Sequence, residues 1–368
     1  MSAQNATFRI AVYPGDGIGI EIMAAARRAL RATQDALGGF ELELTDYECG
    51  AGYYRDSGEE ISEAAFEAGR AADAILLGAI GLPDVRKPDG TEISPHLRMR
   101  AEFGLYGGVR PVKLYPNVKT PLADPRAQGI DLVILRESTE GLFASVGKGR
   151  VIDDREAREE LVITRPVTER LVDLAIDIAR GRQGRPGADG PGRVTCVDKA
   201  NVFAAYAFFR KIYDERMDRA PDLARGYAYV DAAALDLVRK PWTFDVMVME
   251  NMFGDILSDL AGGLVGGMGM APCAEIGDAH ALFQPAHGTA PDIAGKGIAN
   301  PSAMLVSAAM MLDWLGRRHD APALRHAGRG LERALEIGFA DGTVRPVDLG
   351  GDVGTEAITD AVVAALPR

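Results

Sequence analysis

The chain has 368 residues, of which 47% are hydrophobic and 26% are charged, and its formal net charge is -12. This composition predicts a folded protein that is long enough for two domains. The negative charge disfavours binding to nucleic acid phosphates or to anionic membranes, so a small-molecule partner is expected, with no nucleic acid and no membrane.

The cysteines and the first residues bear on the cellular compartment. Cys49, Cys196 and Cys273 are odd in number and have no CxxC spacing, so they predict neither a disulfide framework nor a zinc site. The opening MSAQNATFRI has no basic region followed by an apolar stretch, and no run of about 18 apolar residues occurs. A cytoplasmic location is therefore expected.

The secondary structure pattern begins with FRIAVYPGDGIG, which predicts a short strand that runs into a glycine turn. EIMAAARRALRATQDAL follows with the apolar spacing of a helix. Patterns typical of buried strands recur in DAILLGAIG, DLVILRES, RVTCVDKA and FDVMVMEN, each followed by loop or helical sequence. This alternation predicts an α/β fold with an open sheet covered by helices, and ligands beyond the carboxyl ends of strands.

Three other segments are less regular. The glycines of PGDGIG lack the G-x-G-x-x-G spacing, so a tight turn is favoured over a dinucleotide-binding loop. GRQGRPGADGPGR, residues 181 to 193, predicts an exposed loop between a helix and a strand. GKGRVIDDREAREELVITR is compatible with a protruding hairpin, although an ordinary solvated surface is the preferred interpretation.

Several arginines are candidates for binding carboxylates. They are Arg98 and Arg100 in HLRMR, Arg110 in GGVRP and Arg136 in LRESTEG. A guanidinium group binds a carboxylate through two parallel hydrogen bonds, so arginines that converge on one pocket favour a di- or tricarboxylate. Each arginine alone is more often a surface ion pair, but Arg110 and Arg136 lie at or near the ends of apolar segments.

NMFGDILSDLAGGLVGGMGM, residues 251 to 270, places Asp255 and Asp259 one helical turn apart, where like charges repel. Asp231, after a short aromatic strand, supplies a third carboxylate, and such an oxygen-only set suits Mg²⁺ or Mn²⁺. Lys199 follows the strand VTCVD and is a candidate base. Ordinary alternatives are a solvated Lys199 and an N-cap role for Asp231.

FQPAHGTAPDIAGKGIANP is a loop rich in glycine and proline that precedes a hydrophobic helix. Ordering such a loop is costly, and loops of this kind are commonly functional. Its polar side chains include His287, Asp292 and Asn300. Any of them is also able to hold the loop to itself.

Together these motifs resemble those of the β-decarboxylating dehydrogenases, which include isopropylmalate, isocitrate, homoisocitrate and tartrate or malate enzymes. The resemblance covers nearly the whole chain, through YPGDGIG, LYGGVRP, LRESTEG, VDKANV, YVDAAALDLV, NMFGDILSDLAGGLVGG, HGTAPDIAGKGIANP and DLGG. It implies a two-domain α/β fold that is not Rossmann, with mixed sheets flanked by helices. Residues 1–105 and 266–368 would form a larger domain with the cofactor loop, and residues 106–265 a central dimerising domain.

The resemblance also implies roles for individual residues. The substrate carboxylates are implied to be bound by Arg100, Arg110 and Arg136. The divalent metal is implied to be held by Asp231, Asp255 and Asp259. Lys199 is implied to accept the proton of the substrate hydroxyl, and Lys199 and Asp231 to reach across from the partner subunit of a homodimer.

The adenosine half of the cofactor binds, in the similar enzymes, on the loop that matches residues 287 to 300. The implied contacts are His287, Gly288, Ala290, Asp292, Ile293 and Asn300. Asp292 falls where an acidic residue hydrogen-bonds the ribose hydroxyls, and Ile293 stands where NADP enzymes tend to carry lysine and tyrosine. Because a carboxylate repels a 2′-phosphate, NAD is expected.

The implied reaction is oxidation of a 2-hydroxy di- or tricarboxylic acid by NAD, followed by loss of CO₂. Phe143 stands where relatives usually carry a tyrosine that helps to protonate the enolate. Oxidation without efficient decarboxylation, or a catalytically weakened or regulatory homologue, therefore stays open. Ser94 and His96 predict a pocket more polar than the leucine-lined isopropylmalate pocket, which favours a hydroxyl or carboxylate substituent. Ser94 also leaves regulatory phosphorylation open.

Overall fold

The computed structural model describes residues 6–182 and 190–367, which form an α/β architecture around a ten-stranded sheet. In the described residues the strands are β1 (Ala6–Gly15), β2 (Phe40–Asp46), β3 (Ala74–Ala79), β4 (Gly107–Lys113), β5 (Asp131–Glu137), β6 (Arg150–Ile152), β7 (Glu156–Arg158), β8 (Arg193–Asp198), β9 (Ala224–Tyr229), β10 (Val246–Met249), β11 (Pro272–Ile276) and β12 (Ala281–Pro285). The helices are α1 (Gly19–Leu37), α2 (Ala51–Ser57), α3 (Glu63–Ala71), α4 (Pro95–Glu102), α5 (Arg165–Gly181), α6 (Ala204–Met217), α7 (Val230–Arg239), α8 (Asn251–Leu264), α9 (Ser302–Arg318), α10 (Pro322–Asp341) and α11 (Thr355–Ala364).

The strand order of the large sheet is β2-β1-β3-β12-β11-β4-β5-β10-β8-β9. β11 is antiparallel to β12 and to β4, and β4 is antiparallel to β5, whereas the outer pairings are parallel. The sheet is therefore mixed and does not have the Rossmann strand order. The proposed domain boundaries separate the strands at the β11–β4 pairing, and the division into two domains stays a prediction.

The strands that the sequence predicted are present as β1, β3, β5, β8 and β10. Every residue of β3 is buried, because helices cover both faces of the sheet. On α1, the predicted apolar positions Ile22, Ala26, Ala29 and Leu30 are all buried. No helix in the described part of the chain is long and apolar enough to span a bilayer.

The two surface segments have different outcomes. Residues 183–189 of the predicted Gly/Pro-rich loop lie outside the described residues. β6 and β7 pair as an exposed antiparallel hairpin, with Val151 opposite Ala157. The hairpin interpretation, which was the less favoured one, is therefore confirmed.

The PGDGIG segment is a tight turn, as predicted. Gly15 and Gly17 have positive φ angles of 72° and 55°. A Cβ atom on Gly17 would lie 2.3 Å from the carbonyl oxygen of Thr289, and the Ile18 N–H donates a hydrogen bond of 2.9 Å to that same oxygen. The turn after β1 therefore holds the loop that follows β12.

Replacing Gly17 with alanine tests this contact. The left-handed backbone costs an alanine about 1–2 kcal/mol, and the clash with the Thr289 carbonyl adds about 1–3 kcal/mol. We expect Gly17→Ala to lower the melting temperature measured by circular dichroism. Gly58→Ala is the matched control, since Gly58 has φ 83° and a Cβ added there would have no other atom within 4 Å. Equal losses in the two variants would contradict the packing role of Gly17.

Candidate active site

Three predicted arginines lie buried around one part of the sheet. Arg100 on α4, Arg110 on β4 and Arg136 on β5 are only 6%, 7% and 2% exposed. Burial, followed by the charges of Arg110 and Arg100, lowers the pKa of Arg136 to about 10. The three guanidinium groups, called the arginine cluster below, are thus close enough to repel one another.

Arg136 is held by the first turns of α8. Its Nε and Nη2 donate to Asn251 Oδ1 at 2.9 and 2.6 Å, and its Nη1 pairs with Asp255. A Cβ on Gly254 would lie 2.6 Å from the Cβ of Arg136. The missing side chain at Gly254 therefore lets the helix approach β5 closely enough for these bonds.

Arg110 contacts the next turn of the same helix. Its Nη1 donates to Ser258 Oγ at 2.6 Å and lies 3.5 Å from Asp259 Oδ1, while its Nη2 lies 3.3 Å from Asp255 Oδ1. Burial raises the pKa of Asp259, the charge of Arg110 lowers it, and the charge of Asp255 raises it further. The two aspartates share one face of α8, as predicted, and their charges face the arginine cluster.

Arg100 pairs with a residue that the sequence analysis missed. Its Nη2 lies 2.7 Å from Glu275 Oε1, and the Glu275 side chain has no exposed surface. An acidic residue within the otherwise apolar strand PCAEI was the available signal. Asn251 and Ser258, which bind Arg136 and Arg110, were also missed.

The two residues predicted to shape the substrate pocket lie beside Arg100. Ser94 immediately precedes α4, and its backbone N–H donates to Glu60 Oε1 at 2.8 Å. His96 Nδ1 is buried and has no hydrogen-bond partner among the described residues. Burial, then the charge of Arg100, lowers the pKa of His96 to about 3, so this imidazole is neutral at physiological pH.

Arg98 and Phe143 complete the surroundings. Arg98 pairs with Glu63 and Glu102, at 3.0 and 2.7 Å, so its guanidinium is not part of the arginine cluster. The ring of Phe143 lies 5.1 Å from the Cζ of Arg136, within the range of a cation–π contact. Phe143 thus packs on the cluster, but it has no proton to donate.

Lys199 and Asp231 form a separate pair. Lys199 follows β8, Asp231 lies in the first turn of α7, and Lys199 Nζ is 2.5 Å from Asp231 Oδ1. The hydrogen bond from Lys199 is the main cause that lowers the pKa of Asp231. Among the described residues no three His, Cys, Asp or Glu side chains are grouped to hold a metal. Asp231 is therefore not assembled with Asp255 and Asp259 within this one chain.

Apolar side chains surround this pair on the protein surface. Those that are exposed on or near β9, α7 and α8 are Val202, Phe203, Tyr227, Tyr229, Leu235, Val238, Met252 and Ile256. A set of exposed apolar residues on adjacent elements marks an interaction surface.

A cavity of about 530 Å³ lies at the loop after β12, which is a size suited to a cofactor. Its lining residues are Ile18, Asp259, Met268, Gly269, Ala286, His287, Gly288, Ala290, Ile293, Ile298, Asn300, Val347 and Asp348. Five of the six predicted cofactor contacts are therefore in the lining. Asp292 is exposed and does not line the cavity, although its neighbour Ile293 does.

Polar atoms inside this cavity are available to a ligand. His287 Nε2 is buried and has no partner among the described residues, and burial lowers the pKa of this histidine. Asn300 Nδ2 donates to Asp348 Oδ2 at 3.2 Å. Asp348 lies in the DLGG motif and is a further lining residue that was not predicted. The unpartnered His287 nitrogen and the cavity size fit a dinucleotide, and the oxygens of Asp255 and Asp259 fit a hard divalent cation.

Comparison with known proteins gives the family. The family model for isocitrate/isopropylmalate dehydrogenase matches residues 9–362. The 3-isopropylmalate dehydrogenase of Xanthomonas euvesicatoria pv. vesicatoria (strain 85-10) is 40% identical over 371 residues, which cover 97% of this chain and 99% of that protein. The 3-isopropylmalate dehydrogenase of Aquifex aeolicus (strain VF5) is 38% identical over 383 residues, covering 98% of each chain.

Solved structures agree with this assignment. Isocitrate dehydrogenase from Methylococcus capsulatus superposes with a TM-score of 0.83 at 34% identity, covering 98% of this chain and 100% of that chain. A β-decarboxylating dehydrogenase from Thermococcus kodakarensis gives a TM-score of 0.78 at 35% identity, covering 97% and 96%. The predicted α/β fold of the isopropylmalate dehydrogenase type is confirmed. This chain therefore belongs to the isocitrate/isopropylmalate dehydrogenase family of decarboxylating dehydrogenases.

Proposed function

We propose that this protein catalyses the oxidative decarboxylation of a 2-hydroxy di- or tricarboxylic acid, using NAD and Mg²⁺ or Mn²⁺. The observation that carries the proposal is the position of Asp259. This residue lies 3.5 Å from Arg110 in the arginine cluster and also lines the cavity formed by the loop after β12. An acid bound by the arginines and a cofactor in the cavity would therefore meet at α8.

Arg100, Arg110 and Arg136 bind the substrate carboxylates in this proposal. Each guanidinium presents donors in a planar fork that matches a carboxylate. The Nε atoms of Arg100 and Arg110 are buried and have no partner among the described residues, so they are available as donors. The proposed substituent pocket lies at Ser94 and His96.

Asp255 and Asp259 would hold the metal, together with Asp231 from a second copy of the chain. When bound, the metal ion supplies Lewis-acid polarisation of the substrate oxygens and NAD supplies the hydride acceptor. Lys199 Nζ takes the proton of the C2 hydroxyl as the hydride leaves. The Lys199–Asp231 hydrogen bond keeps this amine oriented.

A homodimer is proposed because the Lys199–Asp231 pair lies in the apolar surface of β9, α7 and α8. Residues such as Leu235 and Ile256 are 54% and 62% exposed in one chain. Burying them against a second copy would stabilise the dimer through the hydrophobic effect. It would also supply the third carboxylate that one chain does not bring to Asp255 and Asp259.

A cytoplasmic location and NAD as cofactor are part of the proposal. Cys49, Cys196 and Cys273 are buried and free, which suits a reducing compartment. The carboxylate of Asp292, next to the cavity-lining Ile293, would repel a 2′-phosphate, and this supports NAD over NADP.

A second candidate function, oxidation without efficient loss of CO₂, is favoured by Phe143. Its ring packs on Arg136 without a hydroxyl group, so it offers no proton to an enolate. Either water protonates the enolate that loss of CO₂ leaves, or decarboxylation is slow, or the reaction stops at oxidation.

The direct test follows NADH absorbance and released CO₂ with Mn²⁺ and a panel of isopropylmalate, isocitrate, homoisocitrate, D-malate and tartrate. We expect one acid to give NADH and CO₂ in equal amounts. NADH without CO₂ would favour the second candidate function, and Phe143→Tyr should then restore CO₂ release. No turnover on any acid, with NAD and metal still bound, would instead indicate a regulatory or weakened homologue.

A mixing experiment tests the shared site. Lys199→Met and Asp255→Asn should each abolish activity, because one removes the base and the other a metal ligand. Dimers reassembled from an equal mixture should recover about a quarter of wild-type activity, since half are mixed and each mixed dimer has one intact site. Mixing Asp255→Asn with Asp259→Asn is the control, and it should recover nothing. Failure of the first mixture to recover, with exchange of subunits verified by mass spectrometry, would contradict sharing.

Asp292→Ser tests the cofactor preference. Removing the carboxylate should lower the ratio of kcat/KM for NAD to that for NADP by about tenfold, because the repulsion of the 2′-phosphate is lost. Asp35→Ser changes an exposed aspartate on α1 and should leave the ratio unchanged. An unchanged ratio in Asp292→Ser would assign the preference to other residues.

A further inference from the structure

Glu275 is a fully buried acidic side chain on β11, and none of the proposed catalytic steps uses it. It lies 2.7 Å from Arg100, whose side chain is 7% exposed. Burial alone raises the pKa of its carboxyl group, but Arg100, Arg110 and Arg136 lower it overall, so Glu275 carries a negative charge. A charged and fully buried carboxylate is costly unless opposite charges surround it.

The sheet register explains why Glu275 reaches the arginine cluster. Gly108 on β4 lies opposite Glu275 on one side and opposite Arg136 on the other. The three residues thus form one row across three strands, with Arg110 two positions along on the same face. A Cβ on Gly108 would lie 3.2 Å from Glu275 Oε2, tighter than ordinary contact, so the glycine leaves room for the carboxylate.

The charge of the cluster depends on Glu275. Three guanidinium groups with one carboxylate leave two positive charges, which match a substrate with two carboxylates. Asp255 and Asp259 are taken up by the metal in the proposed function, whereas Glu275 stays paired with Arg100. A third substrate carboxylate would therefore enter a pocket whose positive charge is already matched.

The residues of the proposed substituent pocket also favour an uncharged substituent over a carboxylate. His96 is neutral, so it offers no charge to a third carboxylate, and its buried Nδ1 is free to hydrogen-bond an uncharged polar group. Ser94, at the start of the same helix, adds a hydroxyl. Arg98, the other cation of α4, pairs with Glu63 and Glu102 instead.

We propose that Glu275 is a specificity-determining residue, which reduces the charge of the arginine cluster so that the site selects a dicarboxylate with an uncharged polar substituent over a tricarboxylate. This inference rests on the proposed function for the assignment of the arginines to the substrate. Of the two substituents that the sequence analysis left open, the inference favours the hydroxyl over the carboxylate. The selection acts on binding, so it is measurable without turnover.

The test compares two ligands of nearly the same shape that differ by one negative charge: propane-1,2,3-tricarboxylate and the same skeleton with one terminal carboxylate replaced by an amide. Dissociation constants are measured by isothermal titration calorimetry with saturating Mg²⁺ and without NAD, so that Asp255 and Asp259 are occupied by the metal as the proposed function requires. We expect the wild-type protein to bind the amide about tenfold more tightly than the tricarboxylate. In Glu275→Gln, which keeps the side-chain shape but removes the charge, the preference should disappear or invert.

Two further variants complete the design. Glu275→Asp keeps the charge and should keep the wild-type preference, while Glu63→Gln removes a surface acid that pairs with an arginine on α4 and should not alter it. An unchanged preference in Glu275→Gln would overturn the proposal, and so would a wild-type protein that binds the tricarboxylate at least as tightly as the amide. If Glu275→Gln does not fold, the affinities of the wild-type protein for the two ligands still test the proposal. Because binding is the readout, loss of turnover on every acid would refute the proposed function without refuting this inference.

Discussion

Burying several guanidinium groups side by side is the constraint on which the site depends. Without counter-charges the repulsion and the lost hydration would be too costly. Glu275 and Asp255 supply opposite charges to Arg100 and Arg136, while the neutral side chains of Ser258 and Asn251 accept hydrogen bonds from Arg110 and Arg136. These partners come from β11 and α8, so the pairing of β11 with β4 and the close approach of α8 to β5 bring them to the arginines.

Close approach of backbone segments makes these pairings possible. α8 lies against Arg136 because Gly254 has no side chain, and Glu275 reaches the arginines across Gly108. The turn at Gly17 holds the loop after β12 through Thr289. Glycine thus acts at the points where two elements must touch, which brings the arginine cluster and the cavity at the loop after β12 to the two sides of Asp259.

The other two residues of the proposed active site lie on a different surface. Lys199 and Asp231 bind each other at the edge of the sheet, among exposed apolar residues of β9, α7 and α8. With the roles proposed for Lys199 and Asp231, activity would be linked to association, because the surface that pairs two chains would also deliver the base and the third carboxylate. In the proposed function, folding of one chain prepares only part of the active site.

Much of this protein was determined by its sequence alone. Apolar runs of four to eight residues predicted β3, β5 and β10, and helical spacing predicted the buried face of α1, because burial acts locally on each element. Long motifs in the right order also predicted the family, and they named Arg110, Asp255 and His287. The hairpin of β6 and β7 was the less favoured interpretation, since exposed residues are equally compatible with a solvated loop.

Only the tertiary structure decided which elements are neighbours. Glu275 and Arg100 are 175 residues apart, and their contact exists because β11 inserts between β12 and β4. The hydrogen bonds of Arg110 and Arg136 to α8 span 148 and 115 residues. Sequence periodicity specifies the face of a strand but not the strand beside it, so the counter-charges of a buried cluster become visible only in the fold.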